Sequence, residues 1–472
     1  MTNEQRNKKF IKEFGVYAIG NLGSKLVMFL MVPLYTYFIK DPADYGYYDL
    51  CQNFCLMMIP ITMLQLRDGA FRFLLGSNDE GEKKLIISFV ARTLLASNLT
   101  VVALTSIVGF FMHIPFMWHT IALLLVMTLY EVQAQIMRGL GNNKAFVAMG
   151  IITSLGIGVM SVVLVGWLRL GILGVFWANI ASRLLSMVIL ELKTHSIVGH
   201  LNFRMPTNGL GKQILRYSLP LIPTAVCWWA TSNSNRYFIK EYCGLDANGL
   251  YAMASKFAGI ILTLSIIFYQ TWQETAIVQY HSKDRDRFFS NIFNNYIYVL
   301  ALLLIGYTFI VKICSGWLVG ETYQAGIKYI YPLGAATVLY ALTAFFELGY
   351  QCSKETGRAL PSVVLTASVC LLLNFTLIPT FGIDGAIASS IIAYLTLITY
   401  RWIETKKRYY TISFYRASWL PLIMMVISAV PFAKTTATWQ DAAYLVVATL
   451  VLIACAPRGL REMARKVFSK IF

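Results

Sequence analysis

Fourteen apolar stretches, separated by short polar loops, constrain this chain more than any other feature. They fall at 14–39, 46–66, 85–110, 118–138, 145–168, 171–192, 214–240, 249–276, 289–312, 323–351, 359–379, 383–404, 413–433 and 439–457. A helix that rises 1.5 Å per residue crosses a hydrocarbon core of about 30 Å in about 20 residues, so each stretch is one crossing long. The expected fold class is an all-α polytopic membrane protein. Composition agrees: 57% of the residues are apolar and 13% charged, against about 25% charged in a soluble domain. With 472 residues, the spans leave no room for a large soluble domain. Met1 to Lys12 is polar and basic and lacks a small-residue cleavage pattern, so it reads as a retained cytoplasmic N-terminus.

The basic residues set the direction of the spans. With both termini inside, 29 of the 40 Lys and Arg residues fall in cytoplasmic segments. Only Lys40, Arg169, Lys240, Lys312 and Lys434 fall in the opposite loops. Positive charge anchored inside is what orients such proteins. The same distribution accounts for the net charge of +17 without nucleic acid, since the bases form no patch interleaved with exposed aromatics. Arg458 to Phe472 reads either as an amphipathic helix on the anionic inner leaflet or as a solvated basic tail.

The stretches repeat. Tyr37-Phe38-Ile39-Lys40 recurs as Tyr237-Phe238-Ile239-Lys240, and each is followed by a short acidic loop and then by Gly46-Tyr47-Tyr48 or Gly249-Leu250-Tyr251. Arg138 to Ala145 before span five corresponds to Ser353 to Ala359 before span eleven. Gly171-Ile172-Leu173-Gly174 corresponds to Gly382-Ile383-Asp384-Gly385. Landmarks in one order at offsets of about 200 to 214 indicate two six-helix repeats, and six being even, both enter the membrane in the same sense. The domain organisation expected is an N-terminal six-helix lobe at 1–200, a cytoplasmic linker at 201–212, and a C-terminal lobe at 213–408. Two further helices at 409–457 and a basic tail at 458–472 follow, with a central cavity between the lobes.

The opening of span one, from Gly15 through Gly23-Ser24-Lys25 to Val32-Pro33-Leu34, carries a resemblance to a known family. With Tyr37-Phe38-Ile39, Pro42-Ala43-Asp44-Tyr45-Gly46-Tyr47-Tyr48 and Ser218-Leu219-Pro220-Leu221-Ile222-Pro223, it resembles bacterial polysaccharide flippases of the Wzx type. These belong to the multidrug/oligosaccharidyl-lipid/polysaccharide exporter superfamily. The resemblance implies a transporter in the bacterial plasma membrane. Its substrate would be an O-antigen, capsule or exopolysaccharide repeat unit linked through pyrophosphate to a polyprenol. Membrane lipids and other polysaccharide-assembly membrane proteins are the partners it implies, and no cofactor. Energy would come from H+, Na+, the membrane potential or consumption of substrate on the far side.

Charged residues at mid-membrane depth cost about 2.5–3.5 kcal/mol each on insertion scales, so they persist where they face water or a partner. Lys25 sits about a dozen residues from either end of span one, roughly 18 Å, beyond the reach of its own stem. Asn21, Ser24 and Lys25 share one helix face. Lys25 therefore reads as a cavity residue, or alternatively as the partner of an acid such as Asp49. Thr231-Ser232-Asn233-Ser234-Asn235-Arg236 places six polar residues in span seven, too many for one face. Asn233 belongs to that wall. Arg236 suits a phosphate or carboxylate, or it snorkels to the outer surface beside Lys240. Lys256 and Asp49 lie near the outer ends of the equivalent spans eight and two. Lys25, Asp49, Arg236 and Lys256 sum to +2, which complements a pyrophosphate, and the resemblance places their helices around the cavity.

Arg92, Glu131, Arg183, Glu274 and Glu347 form an inner set. The acids pair with Arg92, Arg183 or loop bases as an inner gate, or one of them titrates in a proton-coupled cycle; Arg92 alternatively snorkels to the cytoplasmic surface. Pro33, Pro60, Pro220, Pro223, Gly156 and Gly158 allow the spans to bend. No P-loop, HExxH, G-x-S-x-G or metal-ligand spacing is present, so no enzymatic function is expected. Cys243 and Cys314 both lie near the outer face and leave a disulfide open. Two alternatives stand beside the oligosaccharide flippase: a lipid II flippase, and a cation-coupled multidrug exporter, which would favour an acidic cavity. A membrane-bound glycosyltransferase or polymerase would need a large outer loop, which the chain lacks.

Overall fold

The computed structural model describes residues 30–77, 79–112, 114–201, 209–353, 355–433 and 438–456. All regular structure among them is helical. In chain order the helices are α1 (residues 30–38), α2 (Pro42–Thr62), α3 (Leu66–Gly76), α4 (Glu80–Met112), α5 (Met117–Gly139), α6 (Asn143–Ser161) and α7 (Gly171–Thr194). Next come α8 (Leu210–Ser218), α9 (Leu221–Asn233), α10 (Asn235–Gln279), α11 (Arg285–Ile313) and α12 (Ser315–Leu318). The last are α13 (Ile330–Cys352), α14 (Leu360–Arg408), α15 (Trp419–Phe432) and α16 (Trp439–Cys455).

Eight helical stretches among the described residues are long and apolar enough to cross a membrane, nine if α2 and α3 form one broken span. Part of the difference from fourteen lies in joining; span one lies largely outside the described residues, and the last two stretches form shorter apolar helices, Arg416–Phe432 and Trp439–Cys455. Gly357–Arg408 is helical over 52 residues, about 78 Å if straight, far beyond a core of about 30 Å. It is broken at Gly382, whose φ of 59° and ψ of −132° suit only glycine. A Cβ on Gly385 would lie 2.3 Å from the Leu377 carbonyl oxygen, so the two arms turn back closely. In α10 the break is Gly244, at φ 90°. Asn235 hydrogen-bonds the Tyr251 hydroxyl at 3.3 Å, a pair that a straight helix would hold about 24 Å apart. Spans seven and eight, and eleven and twelve, thus join through single glycines. The chain is a multi-pass membrane protein.

The helices have local causes. Asn142, after the left-handed Gly141, caps α6 by accepting from the Ala145 amide at 3.1 Å, which explains the polar loop before span five. α16 starts with a capping box in which Thr438 and Asp441 satisfy each other's side of the first turn. Large apolar side chains are widely exposed, as a lipid-facing surface requires. Trp118, Trp167, Trp317 and Trp439, each at least 66% exposed, sit at span ends that the sequence assigns to the outer side, where an aromatic belt is expected.

The chain forms two compact units. Unit 1 comprises residues 1–39 and 47–229, and unit 2 comprises 40–46 and 230–472, so the division falls inside span seven and α15 and α16 pack with unit 2. The cluster Ala134, Met137, Ala145, Met149 and Leu190 packs α5, α6 and α7 in unit 1. In unit 2 Trp272 stacks on Phe345 at 4.9 Å between ring centroids, with Phe289 and Phe293 edge-on beside them.

The short segment 40–46 is clasped by unit 2. Asn248 donates to the Gly46 carbonyl at 2.7 Å, Thr322 to the Lys40 carbonyl at 2.8 Å, and Tyr323 to the Asp41 carbonyl at 3.3 Å. The repeat-equivalent glycines meet there. A Cβ on Gly249 would lie 2.0 Å from the Pro42 carbonyl oxygen, and one on Gly46 would lie 2.3 Å from that of Leu245. Only hydrogen fits at either position.

Candidate functional site

The polar run of span seven divides by helix face. Thr231, Ser234 and Asn235 are buried against protein, while Ser232, Asn233 and Arg236 line a cavity of about 260 Å³ within unit 2. On the buried side, Asn235 Nδ2 faces Ser390 Oγ at 2.8 Å and the Ala386 carbonyl at 3.0 Å. Asn235 Oδ1 accepts from Asn374 Nδ2 at 2.8 Å, and the Cys370 thiol donates to the Thr231 carbonyl at 3.5 Å. This neutral network fixes α9 and the start of α10 against α14 and so sets the direction in which Arg236 points.

Arg236 is 8% exposed. Its guanidinium donates to Asn233 Oδ1 at 3.2 Å and to the Ser232 carbonyl at 3.4 Å, and lies 5.3 Å from the centre of the Tyr251 ring. A cation over an aromatic face is held by the ring quadrupole. The remaining wall carries Tyr251, Ser255, Thr337, Tyr340, Ser390 and Tyr394 above Ala258, Gly259, Leu262, Leu333 and Ala336. Among the described residues that line it, Arg236 is charged and no carboxylate is present. The cavity can receive an anion and hydrogen-bonding groups; an organic cation would meet Arg236. Lys256 is half-buried on α10, one residue from Ser255, but is not a lining residue.

Unit 1 holds a cavity of about 430 Å³ at the break between α2 and α3, where the axis bends by 49°. The break is made by Leu64 and Gln65, both left-handed at φ 50° and 51°, a conformation that is uncommon outside glycine. Arg67 faces Glu131 at 3.2 Å and Asp68 at 3.6 Å, with Gln65, Thr224 and Trp228 around them. Among the described residues that line it, one base and two acids carry charge.

The other sequence-selected residues are placed as follows. Asp49 is 1% exposed on α2 in unit 1, where its carbonyl accepts from Asn53 at 2.7 Å. Arg183, on α7, donates to Asn179 Oδ1 at 2.8 Å. Arg92 is half-buried on α4. Glu131 takes Arg67, and Glu347 takes Arg401 at 3.1 Å. Both acids therefore pair inside their own unit with bases that the sequence assigns to loops, Arg67 and Arg401. Asn21, Ser24 and Lys25 lie outside the described residues, as do the Glu274 side chain and the tail 458–472. Cys243 and Cys314 are free thiols.

Two buried bases escaped the sequence reading. Arg401, which its position near Lys406-Lys407-Arg408 assigns to a cytoplasmic loop, is 1% exposed at its side chain and also donates to Ser362 Oγ at 3.2 Å. Lys312, assigned to an outer loop, is wholly buried and bonds Asp441 at 3.0 Å and the Pro431 carbonyl at 2.9 Å. The acid partner inside an apolar stretch, Asp441, was the available signal for Lys312. Beyond the end of α14, Tyr409 donates to Glu355 at 2.9 Å; burial and that carboxylate push its hydroxyl up to about 12.

Comparison with known proteins follows this geometry. The sequence profile described as "Polysaccharide biosynthesis protein" matches residues 10–273, more than half of the chain. No curated protein sequence matches. Among solved structures, the chain is similar to the lipid II flippase MurJ in an inward closed conformation, at 14% identity and TM-score 0.72. That match covers 95% of this chain and 99% of that one. It is also similar to an inward-facing multidrug resistance MATE family transporter of the MOP superfamily, at 12% identity and TM-score 0.65, covering 83% and 98%. A Vibrio cholerae MATE transporter matches at 14% identity and TM-score 0.54, over 85% of this chain and 96% of that one. At such identities the likeness concerns the fold, which is that of MOP superfamily transporters. By the extent of the profile match, the chain belongs to the polysaccharide biosynthesis protein family.

Proposed function

We propose that the chain is a flippase that moves a polyprenyl-pyrophosphate-linked oligosaccharide from the cytoplasmic to the outer leaflet of the bacterial plasma membrane by alternating access. The observation that carries this reading is Arg236. It is held by Asn233 and Tyr251 in a cavity of unit 2 whose lining, among the described residues, includes hydroxyls and no carboxylate. A planar guanidinium is preorganised for a phosphate, and the cavity's low dielectric strengthens the attraction. Family membership supports the pathway. The acidic cavity in unit 1 is a place for a coupling cation or proton. No step of covalent chemistry is required of the protein.

The test is complementation of a strain lacking its flippase, with lipid-linked oligosaccharide measured on each leaflet. Arg236→Ala lowers substrate affinity by about ten- to a hundredfold, as expected for a charge-assisted bond of about 1.5–3 kcal/mol. Wild-type transport by the Arg236→Ala, Lys25→Ala double variant overturns the cationic-cavity reading. Transport of lipid II in place of the oligosaccharide supports the alternative of a peptidoglycan-precursor flippase, which the MurJ likeness brings into view. For orientation, a cysteine at position 40 is labelled from outside and one at position 143 is not.

A further inference from the structure

We propose that the unit 2 cavity also reads a sugar: Tyr340 and Tyr394 form a shelf for the ring joined to the phosphate that Arg236 receives. This inference rests on the flippase reading and assigns it a specificity element. The two rings stand 5.4 Å apart at 56°, an angled wall on which the C–H face of a pyranose can lie. Tyr394 is 8% exposed, so its ring is fixed by packing.

The hydroxyls beside the shelf are prepared for one role. Ser255 donates its hydrogen to the Tyr251 carbonyl at 2.7 Å and Thr337 to the Leu333 carbonyl at 2.9 Å. A hydroxyl has one hydrogen and two lone pairs, so both present acceptors to the cavity. Sugar hydroxyls supply the matching donors. The volume of about 260 Å³ equals roughly nine waters at about 30 Å³ each, the scale of a sugar ring. A prenyl tail would leave these acceptors unmatched, and a cation would oppose Arg236. Because Arg236 lines the same small cavity, the ring that fits is the one adjoining the phosphate. Gly259 marks the space: it lines the cavity, and a Cβ added there meets nothing within 4 Å.

The test measures binding to the purified full chain in nanodiscs by ligand-dependent thermal shift. The probes are farnesyl pyrophosphate and farnesyl pyrophosphates bearing glucose, galactose, N-acetylglucosamine or N-acetylgalactosamine. The expected result is that at least one sugar-bearing probe binds about tenfold more tightly than the bare one. Gly259→Leu and the Tyr340→Ala, Tyr394→Ala double variant then abolish that ratio, read between sugar-bearing and bare probe within each variant. Tyr394→Phe retains it, since the ring remains. Equal binding of every sugar-bearing probe and the bare probe to the wild type overturns the sugar shelf and leaves the flippase reading standing. So does an unchanged sugar preference in Gly259→Leu. No response to any probe, together with absent leaflet transfer, overturns the flippase reading and the shelf with it.

Discussion

The two units tie the same pair of helices together with opposite polarity. In unit 1, Gln133 on span four donates to Glu191 on span six at 3.0 Å. In unit 2, Glu347 on span ten accepts from Arg401 on span twelve at 3.1 Å. Gln133 and Glu347 are repeat equivalents, since 347 − 133 = 214 is the offset that relates Ala145 to Ala359. The scaffold kept the contact and exchanged its chemistry. Unit 1 uses a neutral donor and an acid that also takes the Ile197 and Val198 amides. Unit 2 uses a full ion pair with a buried base. The cavities diverge in the same way: one lies at a helix break and is net acidic, the other lies beside a hydrogen-bonded helix junction and is net basic. A duplicated fold therefore fixes where helices touch, and not what charge they carry.

The largest expected effect tests whether charge burial in unit 2 holds its appended helices. Asp441→Asn leaves Lys312 buried without a counter-ion and should cost about 3–5 kcal/mol, read as a lowered unfolding temperature in detergent. Replacing both partners by apolar residues should recover most of that loss. Recovery that fails would mean that the pair does more than satisfy its own charges. Next in size is the glycine contact at segment 40–46. Gly249→Ala forces a Cβ against the Pro42 carbonyl and should cost about 1–3 kcal/mol, with increased labelling of a cysteine at position 43.

The helix ties can then be compared directly. Gln133→Ala should cost about 1 kcal/mol, a net neutral hydrogen bond, and less than Glu347→Gln, which strands the Arg401 charge. Equal losses would remove the distinction drawn between the units. Smallest is Arg67→Ala in unit 1. With both partners 35% exposed, the pair should contribute about 0.2–1 kcal/mol to stability. Its effect should appear instead in the pH or sodium dependence of transport.

Much of the fold was legible because membrane insertion writes itself into sequence: apolar length gives the spans. The repeat was legible too, and its two glycine landmarks turn out to face each other at Gly46 and Gly249. The Thr231–Arg236 run announced that some of its residues must face protein, but not which ones. That depended on Asn374 and Ser390, about 140 to 155 residues away in sequence. Arg401 was hidden by its basic neighbours, and Lys312 by its place at a span end. Tyr340 and Tyr394 were invisible as a pair, because a tyrosine in a span looks the same in a core, at a lipid interface or on a cavity wall.

By itself, the sequence determined that this is a polytopic helical protein built from two like halves with polar groups it could not leave in lipid. Those features follow from local costs, since each segment meets the bilayer residue by residue. Only the tertiary structure decided which polar groups satisfy one another and which are left facing a cavity. Burial and hydrogen bonding between distant spans depend on how helix faces meet, and periodicity along one helix does not contain its neighbour.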